Sequence, residues 1–345
     1  MALRESDWLR FTTSSERLEK QRIWRMVASM PRYQSNNSAA PRWLVHLWRE
    51  WTLESWRSVA PAFAKPVPNE WSNERLTAAW LGHATVLLNF FGVAILTDPV
   101  LLPRIGIPLP FTAIGPKRLT KPALTVDELP PIDLILLSHA HFDHFDWRTL
   151  RRFGAQTQVV TASGTRDLLG WTRLREIVEL GWGEATNAGT SAGPLSVRAF
   201  PVRHWGARLQ TDRHRGYNGY VLERNGRRVI FAGDTAFTNH FSDLRDDRPY
   251  DLAIMGIGAY DPWIRSHCTP EQAIAMANAA GARFIMPVHH QTFKLSFEPF
   301  REPIERFTAA LASQPERIAL RAIGETFVLQ GRSMTNEADF AKATR

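Results

Sequence analysis

Cysteine is almost absent from this chain: the 345 residues include one, Cys268. A single cysteine excludes an internal disulfide, and it excludes a metal site built from several thiolates. Any metal site must therefore use nitrogen and oxygen ligands, which suit zinc, iron or manganese. The lack of disulfides also fits a reducing compartment, so we expect a cytoplasmic protein.

The sequence also lacks a long basic run, a low-complexity tract and an internal repeat. The 42 Lys and Arg residues exceed the 34 Asp and Glu residues, which gives a formal net charge of +8. Because this excess is spread along the chain, it favours a small anionic partner, and we expect no nucleic acid. Residues 1–11 carry charges throughout and have no apolar core, so we expect no secretory signal. The oligomeric state is left open.

Residues 76–96 have no charged side chain, and their length alone would suit a membrane-spanning helix. Gly82, Asn89 and Gly92 interrupt this stretch, and β-branched and aromatic residues are frequent between them. We therefore predict soluble strands with a turn at 89–92.

Three histidines and an aspartate crowd into six positions directly after an apolar run, Ile132–Leu137, which predicts a buried strand. These residues are His139, His141, Asp143 and His144. Because the chain turns at a strand end, the first two can point one way and the last two another. One loop could then serve two metal ions.

Three later strands are predicted to end in the same kind of residue. His204 follows residues 195–202, Asp234 closes residues 229–233, and His289 and His290 follow residues 284–288. A rigid strand holds a ligand more accurately than a loop does, so we expect these side chains to share one edge of the fold. The sequence leaves open which of the two adjacent histidines takes part.

Strands and helices alternate through the rest of the chain. Asn225-Gly226 predicts a tight hairpin turn, and Thr269-Pro270-Glu271 predicts the start of a helix that ends before Gly281. Further helices are predicted at 147–153, 165–171 and 302–312. Strand-rich halves with helices outside predict an α/β (α+β) fold of two sheets packed face to face.

The chain resembles the metallo-β-lactamase superfamily in the segment Ser138–His144, followed in order by His204, Asp234 and His289. Seven further motifs resemble one branch, the N-acyl-phosphatidylethanolamine-hydrolysing phospholipase D enzymes and their bacterial relatives. They are Trp80–Thr85, Thr97–Val100, Ile114–Arg118, Val126–Asp133, His204–Gly206, Ala232–Thr235 and Gly258–Pro262. The likeness covers roughly residues 78–295. One departure is that His290 and Gln291 stand where that branch shows an aromatic residue and a glycine.

The resemblance implies a four-layer αββα sandwich that holds two divalent metal ions, with zinc as the first expectation and iron or manganese as alternatives. It assigns His139, His141 and His204 to the first metal. Asp143, His144 and His289 go to the second metal, and Asp234 bridges both. Redox members of the superfamily have a glutamate where this chain has His141, which favours hydrolysis.

Other residues take supporting roles in this interpretation. Asp143 is a catalytic candidate as well as a ligand, and Asp98 is expected to hold a ligating imidazole through its second nitrogen. His83 either does the same or is a core residue. The resemblance places His267 on the substrate side, where it would protonate a leaving oxygen, unless it is an ordinary exposed loop residue. The two substrate-binding candidates are Trp205 and Tyr260.

We predict three regions: a tryptophan-rich helical extension at 1–75, the metallo-β-lactamase-fold catalytic domain at 76–331, and a tail at 332–345. Residues 41–57 predict an amphipathic helix. It either packs on the sandwich or makes a peripheral membrane contact, since indole rings and arginines favour the headgroup zone.

The predicted function is a metal-dependent hydrolase of a phosphodiester or a phospholipid. Two alternatives stay open: a lactonase or other cyclic-ester or amide hydrolase, and a membrane-associated regulatory protein with a vestigial metal site. The complete ligand set argues against the second alternative.

Overall fold

The computed structural model describes residues 52, 56–109, 112–190, 192–209 and 211–329. Fifteen strands lie in these ranges: β1 (Leu76–Gly82), β2 (Thr85–Phe90), β3 (Val93–Thr97), β4 (Ile107–Pro108), β5 (Ala113–Ile114), β6 (Leu134–Leu137), β7 (Gln158–Ala162), β8 (Ile177–Leu180), β9 (Ala185–Ala188), β10 (Leu195–Phe200), β11 (Gly219–Arg224), β12 (Arg227–Phe231), β13 (Tyr250–Gly256), β14 (Ala282–Val288) and β15 (Thr326–Val328). The α-helices in the same ranges are α1 (Trp147–Leu150), α2 (Pro270–Ala280) and α3 (Glu302–Ala310).

Two large sheets carry most of these strands. The first has the order β15-β1-β2-β3-β6-β7-β8, and the second has the order β14-β13-β12-β11-β10-β9. Strands β3, β6, β7 and β8 run parallel to one another, as do β12, β13 and β14, whereas the remaining pairs in both sheets are antiparallel. Each sheet therefore has a parallel part in which several strands end at the same edge.

The alternation of side chains along β12 shows how the layers stack. Val229 and Phe231 belong to a buried cluster shared with strands of the first sheet, whereas Ile230 packs in a second cluster with residues of α2 and α3. Since successive strand residues point to opposite faces, one face of this sheet meets the other sheet and its other face meets the helices. The predicted packing of two sheets face to face is confirmed.

Helix α2 begins and ends where the sequence predicts. The Thr269 backbone N–H donates to Gln272 Oε1 at 3.0 Å, and the Gln272 N–H donates to Thr269 Oγ1 at 3.4 Å. Pro270 occupies the first helical position, and Gly281 ends the helix with a φ of 80°. This reciprocal capping satisfies two of the free N–H groups at the helix start.

The uncharged stretch 76–96 forms strands, as predicted. Phe91 and Gly92 make the turn between β2 and β3 with φ values of 53° and 85°, and Asn89 Oδ1 accepts a hydrogen bond from the Gly92 N–H at 2.8 Å. No helix in the described ranges has both the length and the apolar character needed to cross a membrane.

The predicted helix at 165–171 is wrong: the structure has only a short 3₁₀ turn at Arg166–Leu169. Glu179 Oε1 accepts the N–H groups of Thr165 and Arg166, and the Thr165 hydroxyl donates to the Ala162 carbonyl. These contacts hold the first residues against β8 and leave the turn no room to extend. The predicted helix at 41–57 lies outside the described residues except for residues 52, 56 and 57, so the three predicted regions stay a prediction.

Candidate metal centre

The structure brings every predicted ligand to one edge of the sandwich. The loop after β6 carries four of them, and the segments after β10, β12 and β14 carry one each. In chain order these residues are His139, His141, Asp143, His144, His204, Asp234 and His289. The two sheets thus contribute to the same site, with the first sheet supplying one compact loop and the second supplying three separate strand ends.

The first group consists of three histidines, His139, His141 and His204. One ring nitrogen from each lies within 4.8 Å of the other two. His204 Nε2 is 3.2 Å from His141 Nδ1. The carboxylate of Asp234 faces this group, with Oδ2 lying 4.0 Å from His139 Nε2 and 3.8 Å from His204 Nε2.

The second group is tighter. His144 Nε2 lies 3.1 Å from His289 Nε2, and both nitrogens face the same two carboxylates. Asp143 Oδ2 is 3.5 Å from His144 and 3.4 Å from His289, and Asp234 Oδ2 is 3.0 Å and 3.3 Å away from them. In a tetrahedral zinc site with bonds of about 2.0–2.1 Å, neighbouring ligand atoms lie roughly 3.3–3.4 Å apart. The spacing of these four atoms therefore fits one cation at their centre.

Asp234 reaches both groups because Gly233 allows two strand ends to approach closely. Gly233 has a φ of 59°, and a Cβ at this position would lie 2.7 Å from the Cβ of Ser138. A larger residue would push β12 away from the loop that begins at Ser138. The glycine thus sets the distance between the carboxylate from the second sheet and the histidines from the first.

Burial decides the charge state of the first group. It lowers the pKa of His141 to about 3 and that of His204 to about 4, and it holds the pKa of His139 well below its usual range. These three imidazoles are neutral at pH 7, which is the form in which histidine binds a metal.

The second group carries the negative charge of the site. Burial alone would raise the pKa values of Asp143 and Asp234, but the neighbouring His144 holds both well below their usual range. Burial would also lower the pKa of His289, yet Asp234 and Asp143 raise it to about 9. Two ionised carboxylates at this depth favour positive charge between them, as a divalent cation would supply.

Comparison with known proteins identifies the family to which this site belongs. Residues 94–290 match the family described as the Beta-lactamase superfamily domain. An uncharacterized protein of Mycobacterium tuberculosis is 32% identical over 284 residues, which cover 78% of this chain and 74% of that protein. The chain belongs to the metallo-β-lactamase superfamily.

Two other proteins show how far the likeness extends within this superfamily. The N-acyl-phosphatidylethanolamine-hydrolyzing phospholipase D 1 of Caenorhabditis elegans is 32% identical over 251 residues, or 68% of this chain and 69% of that protein. The solved structure of an isothiocyanate hydrolase from Delia radicum gut bacteria superposes with a TM-score of 0.58 at 16% identity, covering 74% of this chain and 100% of that one. The predicted superfamily and fold are confirmed, and with the His/Asp clusters they make this chain a metal-dependent hydrolase.

Behind the ligands of this metallo-β-lactamase fold lies a fully buried carboxylate, Asp98. Its Oδ2 accepts a hydrogen bond from His144 Nδ1 at 2.6 Å, and its Oδ1 accepts the Ser138 N–H at 2.7 Å. The Ser138 hydroxyl lies 2.8 Å from His139 Nδ1. Asp98 therefore turns the Nε2 of His144 towards the second group, as the sequence predicts, and Ser138 links it to the first group.

We expect Asp98→Asn to weaken metal binding by roughly 10–100-fold, because an amide is a poorer partner for the imidazole N–H that orients His144. Competition with a chromophoric chelator would measure this change. Asp243→Asn, on an exposed carboxylate, is the matched control. Unchanged metal affinity in Asp98→Asn would show that packing alone holds His144 in place.

His83 faces the site and is held in place by its backbone. Its Nε2 lies 3.0 Å from Asp143 Oδ2, and its N–H donates to the Thr292 hydroxyl at 2.6 Å. Its φ of 54° lies in the left-handed region, which non-glycine residues seldom adopt. Burial and the nearby His289 lower the pKa of His83 to about 3. Of the two alternatives for this residue, the structure places it against a predicted ligand.

The structure separates the two adjacent histidines. His289 contributes to the second group, whereas the ring of His290 packs against Trp80 with 4.5 Å between the centroids. His290 thus fills the place of the aromatic residue that the resembled branch shows here.

The predicted substrate-side residues differ in their positions. His267 is buried, with Nδ1 lying 3.8 Å from Asp234 Oδ2, so it is not an exposed loop residue. Trp205 is 41% exposed, and its ring lies 4.6 Å from that of His141. The Tyr260 hydroxyl instead donates to Glu302 Oε1 at 2.8 Å. The catalytic and substrate roles of these three residues stay predictions.

One supporting residue had no signal in the sequence. Arg208 donates from Nε to the Ala140 carbonyl at 2.8 Å, and its guanidinium lies 4.4 Å from the ring centroid of Phe142. It therefore holds the ligand loop after β6 from outside. Neither a motif nor a regular spacing marks this arginine, so only the tertiary structure reveals it.

Proposed function

We propose that this metal-dependent hydrolase cleaves a phosphodiester in a lipid-like substrate and uses two divalent cations, with zinc as the first expectation. One observation supports the dinuclear centre above all. Asp234 Oδ2 lies between 3.0 and 4.0 Å from imidazole nitrogens of both groups. A carboxylate oxygen in that position can be shared by two cations.

The residues present fit such a pair of cations. His139, His141 and His204 would hold the first, and Asp143, His144 and His289 would hold the second, with Asp234 between them. When bound, the two cations supply Lewis acidity, which lowers the pKa of a water molecule and offsets negative charge that develops on the ester.

The side chains of the chain itself orient the reactants. Asp143 and Asp234 accept hydrogen bonds only when ionised, and the neighbouring histidines keep them ionised, so both can orient the attacking water. His267 lies on the other side of Asp234, within reach of a leaving oxygen, and we assign it the transfer of a proton or hydrogen bond to that atom.

The apolar part of the proposed substrate has a place to bind. A cavity of about 430 Å³ opens beside His83 and His289, and its wall includes Phe293, Leu295 and Phe300. An apolar cavity next to a polar reaction centre suits an ester with a hydrocarbon chain. The formal charge of +8 favours an anionic ester, and the phospholipid substrate named for the Caenorhabditis elegans relative has both properties.

The experiment that tests this function compares substrate classes. We expect purified protein to release nitrophenol from bis(p-nitrophenyl) phosphate and headgroup phosphate ester from N-acyl-phosphatidylethanolamine. We expect weaker hydrolysis, by about tenfold or more in kcat/KM, of a lactone panel and a β-lactam, since neither offers an anionic diester. Asp234→Asn purified in parallel controls for contaminating hydrolases. Preferred hydrolysis of lactones would establish the alternative, and inactivity of metal-loaded protein on every class would favour a vestigial site.

A further inference from the structure

The short hairpin formed by β4 and β5 exposes an apolar surface that the metal centre does not use. The two strands pair only with each other. Ile107 is 53% exposed, Leu109 is 39% exposed and Ile114 is 38% exposed. Large aliphatic side chains that lie this close together at a protruding turn are a common mark of an interaction surface.

The hairpin is preformed. Gly106 has a φ of 118°, and a Cβ there would lie 2.1 Å from the Ile114 carbonyl oxygen. A Cβ at Gly115 would lie 2.3 Å from the Ile105 oxygen, so the two strands cross at a distance that only glycine allows. At the far end, the Leu109 N–H donates to the Thr112 carbonyl at 2.8 Å. A surface that is ordered in advance loses little conformational entropy when it binds.

Cationic side chains gather at the base of this hairpin. Lys117 Nζ donates to the Arg57 carbonyl at 2.6 Å, Arg57 Nη2 donates to the Lys117 carbonyl at 2.7 Å, and Arg104 Nη1 donates to the Gly115 carbonyl at 2.7 Å. Burial, Arg104 and Arg57 together lower the pKa of Lys117. Trp56, next to Arg57 in the chain, is 69% exposed.

The hairpin also adjoins the cavity that is proposed to receive the hydrocarbon chain. Ile105, at the foot of β4, packs in one cluster with Val100 and Phe293, and Phe293 lines the cavity. Leu119, two residues after Lys117, lines the same cavity, and its N–H donates to the Thr292 carbonyl at 2.7 Å. A ligand surface that met the hairpin would therefore lie beside the cavity.

We propose that the β4–β5 hairpin docks the protein onto an anionic lipid bilayer. The aliphatic side chains would enter the headgroup and acyl boundary, and the cations at the base would lie at the level of the lipid phosphates. An aliphatic tip above a cationic base matches the layering of such a bilayer. This contact is separate from the one predicted for residues 41–57. It rests on the proposed function only for its link to catalysis, because vesicle binding is measured without turnover.

The decisive experiment uses the buried Cys268, which is 2% exposed and so leaves an added surface cysteine as the labelled one. Leu109→Cys would carry an environment-sensitive fluorophore, and Trp171→Cys, at a 79% exposed apolar position elsewhere, is the matched control. With vesicles of phosphatidylcholine and phosphatidylglycerol, we expect a blue shift and a rise in emission at position 109 alone. Equal changes at both positions, or none at 109, would overturn the proposal.

A second measurement uses the replacement of Ile107, Leu109 and Ile114 by serine. We expect its partition onto the anionic vesicles to fall by about tenfold or more, with binding of the parent weakened by added salt. Turnover of bis(p-nitrophenyl) phosphate and the melting temperature should match the parent. Unchanged vesicle binding, or loss of self-association in place of lipid binding, would contradict the proposal. Loss of vesicle binding with normal diester turnover supports it, and failure of the proposed function would instead appear as absent turnover in the parent.

Discussion

Asp234→Asn is expected to lower kcat/KM for the phosphodiester by on the order of 10³-fold or more, because one oxygen would serve both cations that activate water. The amide keeps the shape of the side chain but loses the negative charge that faces four imidazoles. Steady-state kinetics on bis(p-nitrophenyl) phosphate measure the change, and circular dichroism checks that the fold is kept.

A histidine and a carboxylate outside the site provide the controls for this variant. His240 and Asp243 are exposed and pair with each other at 3.6 Å, so His240→Ala and Asp243→Asn should each leave kcat/KM within about twofold of the parent. Near-normal turnover in folded Asp234→Asn would show that the reaction takes place elsewhere in the molecule.

Removal of metal is the second large effect. We expect freshly purified protein to contain near two equivalents of zinc, iron or manganese, and dialysis against a chelator should remove at least about 99% of the activity, since the proposed chemistry depends on Lewis acidity. Added zinc should restore the activity. Elemental analysis alongside kinetics at each step gives the stoichiometry.

A variant of the first group tests the count of two. His141→Ala should lower the metal content towards one equivalent, because Asp143, His144 and His289 do not depend on that imidazole, and it should abolish most hydrolysis. Protein that keeps full activity with one equivalent would contradict a dinuclear centre. Loss of both equivalents together would show that the two positions fill as a unit.

The sequence predicts much of the sandwich and of the ligand set for a physical reason. Metal ligands that follow buried strands leave a double signal, an apolar run that ends in a histidine or an aspartate. Asp234 after β12 and His289 after β14 both carry it, and each reaches the shared edge. The choice between His289 and His290 needed the structure, since both follow the same strand and only the backbone turn decides which ring faces inward.

Three features left no such signal. Arg208 acts through carbonyl groups of the ligand loop, and any residue type near that loop might be a neighbour of it. Whether His83 lies in the core or faces the site depends on its left-handed backbone, which its sequence context does not show. The β4–β5 hairpin has strands of two residues each, too short for an alternating pattern to appear.

The supply of ligands from both sheets has a consequence for the order in which the molecule folds. His144 and His289 come into contact although they lie 145 positions apart in the chain. Contacts of such long sequence separation form late, because a long loop must close first. During synthesis the first sheet can assemble while the segment that supplies His289 is still inside the ribosome. Capacity to bind the second cation should therefore emerge in the last stage of folding, making metal uptake a clock for the completed sandwich.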